Sequence, residues 1–305
     1  MPEVFRSEAG GTAVKDYRFG LIGWPLTYSL SPIIHNAALR VTGLEGDYRC
    51  FPVPPLPEGV NVLAGLVARM RGGELLGLNV TLPHKQTILV EVDALTSDAE
   101  AIGAVNTIFL EGDHLVGDNT DMAGFLVDLE ATLSPRMGHA LVLGAGGAAR
   151  AVVFALNKAG WEVRVAARRY DQADNLAQTL MRPGRKPISP IQLRLDSLGE
   201  DEQDITLIVN ATSVGMAPDV DETPWPEGTM LPEGAAVYDL VYYPRETRLV
   251  RDAKAKGLAA TGGLGMLVEQ AALAFERWTG RAAPRVEMHQ AAMQASRLGK
   301  QVGGS

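Results

Sequence analysis

Between residues 17 and 298 short apolar runs alternate with longer segments whose apolar residues recur at helical spacing. The short runs predict strands over 18–22, 48–53, 76–80, 107–110, 140–143, 162–166, 205–210 and 236–239. The longer segments predict helices beginning at Pro32, Val60, Pro83, Met122, Ala148, Asp171, Thr247, Leu264 and Pro284. Strands alternating with helices imply an α/β chain layered around largely parallel sheets. Residues 1–15 and 301–305 are polar and Gly-rich and read as loose tails. Ser-Pro and Met-Gly make 134–139 a connector that could separate two lobes, although the helix from Met122 could equally be the hinge. The Pro-rich segment 218–232 reads as a long surface loop.

Length and charge narrow the picture. A chain of 305 residues suggests two domains. With 28 Lys+Arg against 36 Asp+Glu the net charge is −8, which argues against a nucleic-acid partner. A single cysteine, Cys50, excludes an intrachain disulfide framework or an all-cysteine metal site. The first fifteen residues lack the apolar core of a secretory signal, and the most apolar stretch, 140–156, is broken by Arg150 and glycines. The expectation is therefore a cytoplasmic protein with no membrane partner. Thirty-three glycines exceed what turns usually need and hint at backbone approaching a ligand.

The most apolar strand, 140–143, runs into Gly144-Ala145-Gly146-Gly147-Ala148, then a helical segment, then a second apolar strand. This is G-x-G-x-x-A in the context that a dinucleotide site requires: a tight turn, close approach to a pyrophosphate, and a small residue where helix meets strand. The helix N-terminus adds N–H donors for phosphate. An ordinary tight turn is the alternative. The second strand ends in Ala167-Arg168-Arg169 rather than in an acidic residue. A guanidinium there suits a 2′-phosphate and so NADP over NAD, unless both arginines are solvated surface charges.

Polar groups cluster in the N-terminal half. Ser29 and Ser31, two apart, would point both hydroxyls to one side of an extended segment and could hold a carboxylate, but Ser31 before Pro32 is also a good helix N-cap. Asn79 and Thr81 share one face of a strand end, where they either bind a ligand or satisfy each other. Lys85 falls in the first turn of the helix expected from Pro83, where the dipole disfavours a cation and favours proton donation; the alternative is an exposed helix-start lysine. His84 reads as a turn residue. Asp121 is either a helix cap or a carboxylate that orients a lysine and accepts from a hydroxyl, and Asn106 adds an amide. Gln270 falls beside the buried face of the helix 264–278 and needs a partner there. Tyr242 reads locally as a half-buried strand-end tyrosine. The hydroxyl, amide, amine and carboxylate groups from Ser29 to Asp121 together suit a small polyhydroxylated acid.

The chain from about 17 to 298 resembles the shikimate dehydrogenase family. The matching pieces occur in the family's order: Ser29-Leu-Ser31-Pro32, Asn79-Val-Thr81-Leu-Pro-His-Lys85, Gly103-Ala-Val-Asn106-Thr, Gly117-Asp-Asn-Thr-Asp121, Gly144-Ala-Gly-Gly-Ala148, Asn210-Ala-Thr-Ser-Val-Gly-Met216, Tyr238-Asp-Leu-Val-Tyr242 and Gly263-Leu-Gly-Met-Leu-Val-Glu-Gln270. The resemblance implies reversible NADPH-dependent reduction of 3-dehydroshikimate to shikimate, without a metal. It implies that Ser29 and Ser31 hold the substrate carboxylate, that Thr81, Asn106 and Asp121 bond its ring hydroxyls, and that Tyr242 and Gln270 close the other side. Lys85 would deliver the proton, with Asp121 keeping it in register. On the cofactor side it assigns Gly144, Ala145, Gly146, Gly147 and Ala148 to the pyrophosphate, Arg168 to the 2′-phosphate with Arg169 beside it, and Leu240, Gly263 and Met216 to the nicotinamide; packing alone is the alternative for Met216.

The implied fold is two-lobed: an extension at 1–16, a substrate domain at 17–121, a doubly wound Rossmann-type NADP domain at 122–255, helices at 256–300 returning to the first lobe, and a tail at 301–305. A monomer or homodimer is expected. Two departures stand out. Ala167-Arg168-Arg169 replaces the family's usual Asn-Arg-Thr or Asn-Arg-Ser, and Gly262 replaces a common acidic residue. A quinate or dual quinate/shikimate dehydrogenase using NAD is the competing enzyme reading; a non-catalytic ligand sensor on the same scaffold is the competing class.

Overall fold

A computed structural model describes residues 16–193 and 204–298; the expected tails at 1–15 and 301–305 lie outside the described residues. The chain runs β1 (Tyr17–Gly23), α1 (Ser31–Thr42), β2 (Gly46–Pro52), α2 (Val60–Arg71), β3 (Gly77–Val80), a 3-10 turn (Thr87–Val90), β4 (Ala94–Leu95), α3 (Ser97–Ile102), β5 (Thr107–Glu111), β6 (His114–Asp118) and α4 (Asp121–Thr132). It continues with β7 (His139–Leu143), α5 (Gly147–Lys158), β8 (Glu162–Ala167), α6 (Tyr170–Leu180), β9 (Ile188–Gln192), β10 (Ile205–Asn210), β11 (Ala236–Asp239), α7 (Arg248–Ala255), β12 (Ala260–Gly262), α8 (Leu264–Thr279) and α9 (Arg285–Leu298).

The strands form two sheets. The first is mixed, in the order β2-β1-β3-β5-β6-β4; the second is wholly parallel, in the order β12-β11-β10-β7-β8-β9. In the second sheet the register aligns Ala166, Leu143, Asn210, Asp239 and Gly262 in one row at the carboxyl edge. The residues that follow this row, Gly144 after β7 and Ala211 after β10, flank the point where the strand order reverses, which is where open α/β sheets bind ligands. In the first sheet β1 and β3 run parallel, and Asn79 on β3 pairs with Thr107 on antiparallel β5, which pairs with Asp118 at the end of β6. The segments after β1, β3 and β6 and the one before β5 therefore all emerge at one edge.

Two helices tie the layers together. Trp278 of α8 is buried, stacks on Phe19 with ring centroids 4.7 Å apart and donates its indole N–H to the Ile108 carbonyl at 3.0 Å, which fixes α8 to the first sheet. α4 lies against α8 so closely that a Cβ on Gly124 would sit 2.8 Å from the Gln270 backbone nitrogen. Asp128 of α4 accepts from the buried Tyr238 hydroxyl of β11, and burial pushes that carboxyl above the usual range. Buried residues of α4, α5, β7, β8 and β10 form one continuous apolar core, and α1, α8 and α9 enclose another with β1.

Several sequence expectations are corrected. No α-helix starts at Pro83: the Thr81 carbonyl accepts from His84 N–H at 2.9 Å and the Lys85 carbonyl accepts from Val105 N–H at 2.8 Å, so the backbone is diverted into a turn bonded to the next segment. β4, β6, β9 and β12 were not predicted. β9 carries Pro190, which an edge strand tolerates, and β4 and β12 are too short to show a period. β12 pairs with β11, so the second sheet extends beyond residue 255. The loop at 218–232 is largely irregular as expected, yet it buries Trp225 and Leu231 against the second sheet.

Candidate active site

At the shared edge of the first sheet the Lys85 Nζ donates to Asp121 Oδ2 at 2.5 Å, with both side chains largely buried. Asp121 Oδ1 accepts from Asn106 Nδ2 at 2.8 Å, and the same amide lies 2.9 Å from Thr120 Oγ1 and 3.3 Å from Gln270 Oε1. Asn106 Oδ1 accepts from the Thr120 backbone N–H at 2.8 Å and from the Thr107 hydroxyl at 3.0 Å. Asn106 thus fills both ends of its amide and aims the carboxylate at the lysine. Such a closed set of partners is what a buried polar cluster requires. A charge-assisted N–H···O bond of this length holds the ammonium in one place while leaving two of its three protons to donate.

The structure decides between the local alternatives left open by the sequence. Asp121 is not a helix cap: α4 begins with it, the preceding N-cap position is Thr120, and Asn119 Oδ1 instead accepts from the Asp121 N–H at 3.1 Å. The carboxylate is free to face Lys85. Ser31 is not a cap either, because it lies inside the first turn of α1 after Leu30, which makes no side-chain cap bond. The 24–30 segment is a turn rather than the extended segment expected, with Ser29 Oγ accepting from Ser31 N–H at 3.3 Å. Both serines are buried. Tyr242 lies beside Ser29, and burial pushes its hydroxyl up to about 12, with Ser29 pulling the other way.

Gln270 is buried as expected, donating to the Leu267 carbonyl at 2.8 Å and accepting from Asn106. Thr81 is half-buried just past β3, its backbone N–H donating to the Ile22 carbonyl at 2.8 Å. Asn79 is satisfied within the protein: it accepts from Tyr48 Oη at 2.9 Å and donates to the Asn106 carbonyl and to Thr107 Oγ1. His84 is fully buried, with Nε2 2.8 Å from the Val53 carbonyl, so it anchors the lysine-bearing turn. The helix-dipole argument for Lys85 falls with the missing helix; position beside Asp121 replaces it. Thr107, Asn119 and Thr120 were missed, although each sits next to a singled-out residue in the same motif.

Across the cleft, the glycine turn follows β7. Gly144 adopts φ +109°, a left-handed conformation that side chains avoid, and its N–H donates to the Ala166 carbonyl at 2.8 Å. α5 starts at Gly147 with Gly146 as its N-cap and no side-chain cap. A Cβ on Gly146 would meet nothing within 4 Å, so the turn presents bare backbone and open space, a cradle fit for a pyrophosphate. Gly147 differs: a Cβ there would lie 2.9 Å from Lys85 Cβ. The glycine turn and Lys85 therefore pack directly against each other. Gly263 presses on Leu240, where a Cβ would come within 2.3 Å of the Leu240 carbonyl oxygen, which brings these two backbones to one spot. Ala145 and Ala148 lie in the turn and first helical residues, and Met216 is half-buried in the loop after β10. Arg168 and Arg169 are exposed just past β8 and make no side-chain ion pair among the described residues.

Asp239 lies in the row at the carboxyl edge of the second sheet. It is fully buried at the end of β11, accepting from Asn210 Nδ2 at 2.8 Å, Val241 N–H at 3.0 Å and Thr247 Oγ1 at 2.6 Å, and burial pushes its carboxyl up to about 6. Among the described residues no group of three or more His, Cys, Asp or Glu side chains is placed to hold a metal ion, and no helix is long and apolar enough to cross a membrane.

Comparison with known proteins gives the family. Residues 21–108 match the family model for the shikimate dehydrogenase substrate binding domain, and residues 263–293 match that for the shikimate 5'-dehydrogenase C-terminal domain. A curated relative, the shikimate dehydrogenase (NADP(+)) of Salinibacter ruber, is 45% identical over 89% of this chain and 95% of its own length. A crystal structure of shikimate 5-dehydrogenase from Thermus thermophilus in complex with NADP(H) and shikimate is similar with a TM-score of 0.79 at 42% identity, covering 92% of this chain and 99% of that one. The quinate dehydrogenase of Corynebacterium glutamicum in complex with NAD superposes with a TM-score of 0.80 but is only 29% identical, over 92% of this chain and 99% of that one. With 45% identity to a curated relative covered almost end to end, and with a fold shared with a solved relative at 42% identity, the chain belongs to the shikimate dehydrogenase family.

Proposed function

We infer that the protein catalyses the reversible NADPH-dependent reduction of 3-dehydroshikimate to shikimate, an oxidoreductase reaction at a CH–OH group of the shikimate pathway to aromatic amino acids. The observation that carries this reading is the Lys85–Asp121 pair lying directly against Gly147 of the phosphate turn, so that a proton donor and a dinucleotide cradle face one cleft.

When bound, the reduced nicotinamide supplies the hydride. Lys85 Nζ donates a hydrogen bond to the ketone oxygen and passes it a proton, so that C=O becomes CH–OH; in the reverse direction the lysine takes the proton back. Asp121 holds the ammonium through Oδ2 and offers Oδ1 and its remaining lone pairs to a ring hydroxyl. Asn106, held by Thr107 and Thr120, exchanges one of its Nδ2 partners for a ring hydroxyl alongside, and Thr81 bonds another. Ser29 and Ser31 hold the carboxylate, with Tyr242 and Gln270 closing the far wall. The bare N–H groups from Gly144 to Ala148 hold the pyrophosphate, Arg168 with Arg169 beside it takes the 2′-phosphate, and Leu240, Gly263 and Met216 border the nicotinamide. A net charge of −8 is no obstacle, because both anions are met by local cations, hydroxyls and a helix N-terminus.

A cytoplasmic location and a monomeric or homodimeric state complete the reading. A domain division follows as well: a substrate lobe, a second lobe inserted after α4 begins, and α8 and α9 returning to the first. The test is an activity matrix of NADP and NAD against shikimate and quinate. The expected result is the highest kcat/KM for NADP with shikimate; faster turnover of quinate with NAD would reverse it, and binding without turnover would make the protein a sensor.

A further inference from the structure

Two adjacent residue pairs meet across the cleft. Ser29, in the turn after β1, lies beside Tyr242, after β11. Their chain neighbours, Tyr28 just before Ser29 and Tyr243 just after Tyr242, stack with ring centroids 5.6 Å apart and planes inclined by 19°. This offset stacked geometry is the favourable one for aromatic pairs. Both segments are held from behind. Ser29 N–H donates to the Leu26 carbonyl at 3.1 Å, and the Tyr243 carbonyl accepts from Ala217 N–H at 3.1 Å, next to Met216. The two rings are half-buried on the wall of an open cleft of about 480 Å³ that also touches Ala217, Val220 and Pro244, so they belong to neither apolar core.

We propose that the Tyr28–Tyr243 stack is a latch between the lobes that sets the spacing of the Ser29–Tyr242 pair, making both tyrosines positioning residues for the carboxylate end of the substrate. The proposal rests on the reading of Ser29 and Tyr242 as substrate groups. Its physical basis is that the rings gain contact only when the lobes hold this separation. A contact made only in the binding-competent arrangement raises the population of that arrangement, and apparent affinity falls in proportion when the population does. Neither ring touches reacting atoms, so the effect falls on substrate KM and leaves the hydride step alone.

The experiment is a double-mutant cycle on the full chain with NADP saturating. Tyr28→Ala and Tyr243→Ala are each expected to raise shikimate KM about 3- to 10-fold, the size of one aromatic pair, with kcat within about twofold of the parent. The double variant should be no worse than either single one, and Tyr28→Phe and Tyr243→Phe should keep the parent KM. Tyr28→Leu and Tyr243→Leu, which keep apolar bulk but lose the stack, cover the case in which an alanine variant fails to fold. Additive losses, unchanged KM in the Ala and Leu variants, or Phe variants as impaired as Leu would overturn the latch. Ser29→Ala separates the two levels: if it raises KM while the tyrosine variants do not, the latch fails and the substrate reading stands. If Ser29→Ala leaves KM unchanged, the substrate reading itself fails.

Discussion

The contact between Gly147 and Lys85 lends itself to a sharp perturbation, Gly147→Ala. A methyl group there would lie 2.9 Å from Lys85 Cβ and 3.2 Å from Lys85 Cδ. Carbon atoms rest at roughly 3.5–4.0 Å, so about 0.6 Å or more must be found. Lys85 Cβ is one bond from the backbone, and that backbone is bonded to Val105 at 2.8 Å, so the chain cannot yield by a rotamer change. Either the ammonium leaves its 2.5 Å contact with Asp121 or the lobes part. A misplacement of about 1 Å at a reacting group can cost on the order of 100-fold in rate, so kcat should fall about 10- to 100-fold. Stability should hardly change, because alanine is favoured over glycine in a helix by roughly 0.5–1 kcal/mol, which offsets part of the crowding. Gly146→Ala is the control: its methyl meets no protein atom but fills the phosphate cradle, so NADP KM should rise while kcat at saturation is kept. Steady-state kinetics with both substrates varied, together with a thermal melt, separates the two. A Gly147→Ala enzyme with parental kcat would refute the inference that this contact places the proton donor.

Other outcomes follow from the same geometry. Lys85→Ala should lower kcat by at least about 100-fold with little change in shikimate KM; a change confined to KM would assign the lysine to binding instead. Arg168→Ala should raise NADP KM several-fold and leave NAD KM alone, and equal effects on both would remove the guanidinium from the 2′-phosphate. His35 is fully buried against Tyr48, ring centroids 4.3 Å apart, and burial lowers its imidazole to about 3 from the ordinary 6.5. The folded chain therefore stays neutral there while the unfolded chain gains a proton below about 6.5, and stability is lost as pH falls from that value toward 3. Between pH 7.5 and 4.5 this amounts to about 3 kcal/mol, which His35→Phe should recover by removing the titrating group while keeping a ring against Tyr48. Urea unfolding at the two pH values checks it, and an unchanged pH slope counts against it.

Much of this was legible in the amino-acid order, because a strand, a glycine turn and a helix start are local events. The glycine turn at Gly144 to Ala148, the strands on either side of it and the basic pair after β8 all lie within one βαβ unit, where spacing alone fixes geometry. Gln270 was readable from helical period. The misses are those in which a local rule competes with a distant partner. Lys85 in a helix start was a sound local inference, but the bond from Val105 N–H to its carbonyl removes that helix. Ser31 and Asp121 were equally good as caps, and only the observed helix starts show that neither serves as one.

By itself, then, the sequence determined the α/β class, a tight glycine turn between strand and helix and, through eight motifs in order, the family. Tertiary structure decided which of those residues act together. Asn106 and Asp121 are joined because β5 and β6 return antiparallel to the edge from which Lys85 emerges, and Gln270 joins them because α8 recrosses to pack on Gly124 of α4. The contact of Gly147 with Lys85 and the stack of Tyr28 on Tyr243 are set by how two sheets approach each other. Sequence spacing constrains groups a few bonds apart, whereas groups tens or hundreds of residues apart meet only through the packing of the elements that carry them.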